Sequence, residues 1–452
     1  MLTTIRIRNF KCFRDTGPTD LKPVTLLFGK NGSGKTSFLD AVYLLRQTLE
    51  DPDISSPVVG DANTFKFGHY SDYVYGHDVH REIEMSFRFL LEEPVSEELV
   101  LGEKRKHPAK LTIQGEEVNF SLALRYNRKA GRIQVARMQI GDAKRRFVDV
   151  QYDATRKVSS LHSDLLRDKG LSRARKLLKH KDLYHFLPPG DLYYRMTSRD
   201  RTTMYMWQWV SHVALAAQII HGDFSDITHL GPLRDYPERT YVRGGGEPVS
   251  VGYMGGQALP LVYLRSKKKG DKLIQDLDSW LRLANLCQNL IFAPEGRTHF
   301  RPKITGLYKE EDDLPDTGFG ISQVLPVAVA LLSANKGSVV CLEQPELHLH
   351  PFAATRLADL FSMGAKRGVT SIVETHSEHL LIRMQRLVGE GKVSPDQVAI
   401  YFFEKGPEGA TLRPMSIRHD GALENAPDGF FSEDYQELVE MQRSVAKGNR
   451  PT

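Results

Sequence analysis

The chain has 452 residues, 40% of them hydrophobic and 26% charged, and a formal net charge of +5. That balance excludes a disordered or low-complexity chain and supports one large core or two to three smaller ones. No run approaches the roughly 18 apolar residues of a membrane span, MLTTIRIRNFKCF has no signal-like apolar stretch, and Cys12, Cys287 and Cys341 are too scattered for a disulfide framework, so a cytoplasmic location is expected.

In chain order, Leu2 to Phe10 reads as a strand, Asp15 to Pro23 as a turn region and Val24 to Phe28 as a short buried strand. Gly29-Lys30-Asn31-Gly32-Ser33-Gly34-Lys35-Thr36 then fits the pattern G-x-x-x-x-G-K-T, and Thr36 to Leu45 continues with helical periodicity. Glycines let such a loop wrap phosphates, so that backbone N–H groups and the helix N-terminus meet the anion. Lys35 is placed for the terminal phosphates and Thr36 for a magnesium ion, which implies a bound nucleoside triphosphate.

Ile83, Met85, Phe87 and Phe89 alternate with polar residues, and similar runs at Val118 to Tyr126, Arg132 to Ile140 and Phe147 to Tyr152 predict an antiparallel meander. From Ser159 to Ile220 the pattern reads as helical and basic, broken at Leu187-Pro188-Pro189-Gly190 and without a heptad repeat. Between Glu103 and Lys181 there are 21 Lys/Arg against 8 Asp/Glu, a net +13. Lys104 to Lys106, Lys144 to Arg146 and Arg173 to Lys176 fit a patch for nucleic acid or an acidic protein as well as they fit ordinary solvated surface.

Asp316-Thr317-Gly318-Phe319-Gly320-Ile321-Ser322-Gln323 precedes a helical run from Val324 to Ala334 and makes a second glycine-rich cradle. Alone it reads as a capped helix start. One nucleotide has no use for two cradles, so Gly320, Ser322 and Gln323 are expected to complete the site of a second copy across a two-fold axis. From Ser333 onward, strand candidates at Ser338 to Leu342, Val369 to Val373 and Val398 to Phe403 alternate with helices at Pro351 to Met363 and Glu378 to Leu387, the rhythm of a parallel sheet. The first of these strands ends in Glu343, an oxygen ligand suited to Mg²⁺. Glu343, Glu346, His348 and His350 also admit reading as a metal cluster, but the phosphate loop already accounts for the acid. The next strand ends in Glu374-Thr375-His376-Ser377, which places His376 beside the phosphate edge. After Thr411 one more strand and a short terminal helix are expected.

GKNGSGKT, GFGISQ, CLEQPELHLHP and ETHS, in that order, resemble the motifs of ATP-binding-cassette-type ATPases of the structural-maintenance, RecF-like and overcoming-lysogenization-defect group. More narrowly they are similar to bacterial, defence-associated AAA proteins with that cassette, as are IRIRNFKCF, Leu230 to Arg234 and the Gly421 to Phe431 segment. The fold expected is α/β, a P-loop NTPase of ABC-ATPase type, with a mixed parallel sheet, an antiparallel β meander and a helical basic insertion. Its expected divisions are 1–158, 159–230, 231–410 and 411–452. The resemblance implies ATP and Mg²⁺ as cofactors, held by Gly29, Asn31, Gly32, Ser33, Gly34, Lys35, Thr36 and Ser37, with Ser322 on the opposite protomer's γ-phosphate. It puts Glu343 with Thr36 at the metal and His376 at the switch position.

One departure stands out. Many relatives carry Asp-Glu at the acidic strand end, where this chain has Glu343-Gln344. An amide orients water but is a poor proton acceptor, so hydrolysis is expected to be slow or to use Glu346 as base. About 76 residues follow His376, so a fused nuclease is not expected. The function implied is an ATP-hydrolysing, dimerising switch, forming a homodimer or higher homo-oligomer through its ATP sites, with a separately encoded nuclease or toxin-like effector in antiphage defence and DNA on region 103–181. The alternative is a non-hydrolysing ATP-bound scaffold.

Overall fold

The computed structural model describes residues 1–51, 53, 67–91, 96–99, 109–112, 117–180, 183–189, 191–196, 204–243, 246–428 and 430–431. The first five residues of Val24–Gly29 are all buried, a pattern that suits a strand covered on both faces. It lies within a seven-stranded sheet ordered Ile227–Leu230, Val339–Glu343, Thr370–Glu374, Val24–Gly29, Val398–Gly406, Gly409–Ile417, Leu423–Glu424. The first five strands are parallel, Gly409–Ile417 returns antiparallel to them, and Leu423–Glu424 pairs antiparallel with Gly409–Ile417. Side chains alternate between two cores: Leu27, Cys341 and Ile372 face one, while Leu26, Phe28, Val340, Leu342 and Val373 face the other.

The first core is closed by an eight-stranded antiparallel sheet, whose main path is Val158–His162, Arg146–Tyr152, Arg132–Asp142, Glu117–Asn127, Ile83–Leu90, Leu2–Phe10, Phe13–Asp15. Alternation made this legible, since Ile83, Met85, Phe87 and Phe89 are buried. Helix Lys35–Glu50 and helix Met204–Ser225 fill the space between the sheets. Trp209 on the latter donates its indole N–H to the Phe147 carbonyl at 2.9 Å, satisfying a buried donor. Helices Ala258–Ser266, Leu273–Leu283, Phe319–Ser333, Pro351–Lys366 and Glu378–Gly389 cover the second core. No helix among the described residues is long and apolar enough to cross a membrane.

Two expectations change. The stretch read as helical from Ser159 opens instead with edge strand Val158–His162, paired to Arg146–Tyr152; five residues are too few to show a period. The helix expected from Val324 begins at Phe319, which puts Gly320, Ser322 and Gln323 inside it. Of the basic clusters, Lys144 to Arg146 forms a hairpin turn of the antiparallel sheet. Arg145 pairs with Asp142 and Arg146 with Asp164 at one end of the antiparallel sheet. Arg128, Lys129, Arg132, Arg156 and Lys157 lie at the opposite end, where Asn127 Nδ2 donates to the Ala154 carbonyl at 2.8 Å and ties two hairpin turns together. Lys104 to Lys106 and the terminal helix lie outside the described residues.

Candidate functional site

The phosphate loop follows strand Val24–Gly29 and opens helix Lys35–Glu50. Gly29, Gly32 and Gly34 have φ of 144°, 72° and 113°, values that glycine adopts freely. A Cβ on Gly29 would lie 2.5 Å from the Phe403 carbonyl oxygen, and one on Gly34 would lie 2.7 Å from Cys12 Sγ. Lys35 is 3% exposed and donates to the carbonyls of Gly29 and Lys30 at 2.9 and 3.0 Å. Burial lowers its pKa, opposed by Glu374 and Glu346. The hydroxyl of Ser33 is buried and unpartnered, as is fitting for a donor awaiting an anion.

A cavity of about 710 Å³ opens over this loop and is lined by Asn31, Gly32, Gly34, Lys35, Thr36 and Ser37. Gln344 and Glu374 reach it from neighbouring strand ends, and Lys11, Tyr75, His77 and Lys405 form its outer wall. A polyphosphate with Mg²⁺ fits these residues: donors and a cation surround the loop, and oxygen ligands stand at its edge.

The sheet order places the acids differently from the sequence expectation. On the side of the acidic strand ends, the neighbour of Val24–Gly29 is Thr370–Glu374, and Val339–Glu343 is one strand further away. Thr36 Oγ1 donates to Glu374 Oε2 at 2.8 Å, and Lys35 Nζ lies 3.8 Å from Glu374 Oε1. Burial lifts Glu374 to about 7, countered by the Thr36 hydrogen bond and reinforced by Glu343. Glu343 is 4% exposed, its Oε1 2.8 Å from His229 Nε2 and 3.4 Å from the Tyr253 hydroxyl. Arg234 Nη2 donates to the Glu343 carbonyl at 2.8 Å, its Nε and Nη1 are unpartnered, and burial brings its pKa down to about 10. Glu374, His229, Tyr253 and Arg234 were not marked as site residues in the sequence. Two of them carried a signal: Glu374 stands two residues before His376, and Arg234 closes the Leu230 to Arg234 segment named in the resemblance.

Gln344 sits at φ 43°, a left-handed conformation uncommon for this residue, and its N–H donates to the Glu374 carbonyl at 2.8 Å. Glu346 Oε1 accepts from the Thr375 hydroxyl and the His376 N–H, both at 2.8 Å, while Oε2 is buried and unpartnered. Burial raises the Glu346 pKa. Glu346 thus pins the His376 turn and is absent from the cavity wall. His376 is exposed and lines an adjoining cavity of about 330 Å³ with Gly29, Lys30 and Phe430. Its pKa is lowered by partial burial and by Lys35. No cluster of three or more His, Cys, Asp or Glu suited to a metal occurs among the described residues, so Glu343, Glu346, His348 and His350 do not make one.

Gly320, Ser322 and Gln323 contribute nothing to the cavity over the phosphate loop. The Ser322 hydroxyl donates to the Phe319 carbonyl at 2.7 Å within its own helix, and Gln323 Nε2 donates to the Arg234 carbonyl at 3.4 Å. A Cβ on Gly320 would lie 2.7 Å from the His348 carbonyl oxygen. Phe319 stacks on Tyr236 with centroids 6.1 Å apart and meets His348 edge-on at 4.7 Å.

Family models match three parts of the chain. One described as "AAA domain, putative AbiEii toxin, Type IV TA system" matches residues 113–382, one described as "AAA ATPase domain" matches 1–166, and a family of proteins of unknown function matches 393–441. The DNA double-strand break repair Rad50 ATPase of Halobacterium salinarum is 34% identical over 87 residues, 19% of this chain and 10% of that protein. The match therefore spans about a tenth of that relative's length. Among solved structures, an Smc head bound to the C-winged helix domain of ScpA aligns over 92% of this chain and 98% of its own, at 11% identity and a TM-score of 0.48. The SMC head domain from Thermotoga maritima aligns over 91% and 98%, at 12% identity and a TM-score of 0.40.

Proposed function

This chain is an ATPase belonging to the AAA-domain family described as "putative AbiEii toxin, Type IV TA system", and we propose that it works as a dimerising ATP switch that controls a separately encoded effector. The separation of the two cradles carries this reading. The phosphate loop has its own cavity, to which Gly320, Ser322 and Gln323 add nothing. Beside them Phe319 and Tyr236, 43% and 59% exposed, present a stacked aromatic rim. This signature segment, the glycine-rich helix start at Gly318 to Gln323, has an exposed rim and stands outside the phosphate-loop cavity, which fits the ATP of a second copy.

In this reading Asn31 to Ser37 would cradle the phosphates, Lys35 would neutralise the terminal ones, and Thr36 with an acidic partner would hold Mg²⁺. Ser322 of the second copy closes the site. Gln344 orients the attacking water, and Glu346, with one oxygen unpartnered, takes the proton. His376 follows the terminal phosphate. An amide beside the water and a base set behind the cavity wall make turnover slow.

The similarity to a DNA double-strand break repair ATPase supports DNA as a ligand. The hairpin tips bearing Arg128, Lys129, Arg132, Arg156 and Lys157 suit its phosphates. The family description supports a toxin–antitoxin or defence setting.

A mixing experiment tests the switch. Lys35→Ala and Ser322→Arg each abolish phosphate release alone, and mixing them restores it, because the hybrid dimer holds one intact loop facing one intact signature. Two inactive variants that stay inactive when mixed would defeat the reading. Ser322 is buried, so Phe319→Ala serves as a second signature variant.

A further inference from the structure

We propose that Glu374 carries the acidic function at the metal side of this site, and that Glu343 is held back as a buried structural carboxylate. The inference rests on the ATP-binding reading above, and it departs from the position that the resemblance assigns to Glu343.

Three observations point the same way. Glu374 lines the cavity over the phosphate loop, whereas Glu343 does not. Glu374 Oε2 accepts the Thr36 hydroxyl proton at 2.8 Å, while Glu343 Oε1 faces His229 Nε2 at 2.8 Å and the Tyr253 hydroxyl at 3.4 Å. Finally, the two glutamates are register partners on adjacent parallel strands, and the strand of Glu374 is the one paired with Val24–Gly29. A side chain at that strand end starts nearer the loop by one strand spacing, about 4.8 Å.

The chemistry follows from the donor set. A threonine hydroxyl that donates its hydrogen bond to a carboxylate keeps its oxygen lone pairs available, and they would suit a hard cation bound with the nucleotide. The carboxylate that accepts this hydrogen bond would also supply negative charge to the cation. Glu374 further returns an anionic group next to Gln344, whose N–H donates to the Glu374 carbonyl. The negative charge absent from the Glu343-Gln344 pair is thereby restored from the neighbouring strand.

The test is ATP affinity measured in Mg²⁺ and in EDTA for wild type, Glu374→Gln and Glu343→Gln, with Mn²⁺ binding to each ATP complex followed by electron paramagnetic resonance. Glu374→Gln should cut the Mg²⁺-dependent gain in ATP affinity, and the Mn²⁺ affinity, roughly 10- to 100-fold. Its affinity in EDTA should be unchanged or higher, because the counter-charge of Lys35 is gone. Glu343→Gln should keep most of the gain, and Glu374→Asp, which retains a carboxylate, should fall between wild type and Glu374→Gln. The proposal is overturned if Glu343→Gln loses the gain while Glu374→Gln keeps it. It is also overturned if Glu374→Gln shifts affinity equally in Mg²⁺ and EDTA, the mark of a mere counter-ion to Lys35. Wild type that binds no ATP in either condition would remove the underlying ATP reading instead.

Discussion

Two glycine-rich helix starts in this chain look alike as text and differ as physics. At Gly29 to Thr36 the glycines take positive φ, a serine hydroxyl is buried without a partner, and a cavity of about 710 Å³ stands open above. At Gly318 to Gln323 the serine hydroxyl is spent on its own helix, and Gly320 is small because the His348 carbonyl approaches it. A helix N-terminus is a ligand site in its own molecule only where donors are left over and space is provided. In the proposed switch, the second start takes its ligand from another copy.

Substitutions sharpen that contrast, the largest effect coming from Lys35→Ala. It removes charge-assisted contacts worth about 1.5–3 kcal/mol each, so ATP affinity by calorimetry should fall roughly 100-fold or more. Gly34→Ala forces a side chain into φ 113° and against Cys12 Sγ. It should cost about 1–3 kcal/mol of stability in denaturant melts and weaken ATP binding as well. Gly320→Ala should cost about 1 kcal/mol by crowding the His348 carbonyl, yet leave ATP affinity of the isolated chain unchanged. An equal loss of ATP affinity in Gly34→Ala and Gly320→Ala would erase the distinction between the two starts.

The smallest effect is on pH dependence. Burial holds Glu374 at about 7 against an ordinary 4.5, so the folded state binds this proton more tightly than the unfolded one. Its contribution favours the fold at low pH and is lost as pH rises from about 4.5 to about 7. The nucleotide-free wild type should therefore lose stability relative to Glu374→Gln across that window in parallel melts. A difference between the two that is flat with pH would contradict the assignment.

Much of this was legible because the decisive groups are contiguous. The phosphate loop, the Glu343 strand end and the His376 turn are each written within about ten residues, with local hydrophobic patterns that fix the flanking strands and helices. Sheet order is not local. Nothing in the text says that Thr370–Glu374 lies between Val24–Gly29 and Val339–Glu343, so Glu374 was passed over as a flank of His376. His229 and Arg234 reach Glu343 across more than a hundred residues, a distance that periodicity cannot span. Edge strand Val158–His162 was missed because five half-exposed residues beside a basic helix leave too few positions to show alternation.

The central claim is that ATP on one phosphate loop is completed by the signature helix of a second copy. Light scattering of wild type and Lys35→Ala with and without Mg²⁺-ATP tests it most directly. The account predicts wild type doubling in mass with ATP and Lys35→Ala remaining at its nucleotide-free mass. Wild type that binds ATP to saturation and does not change in mass would contradict it.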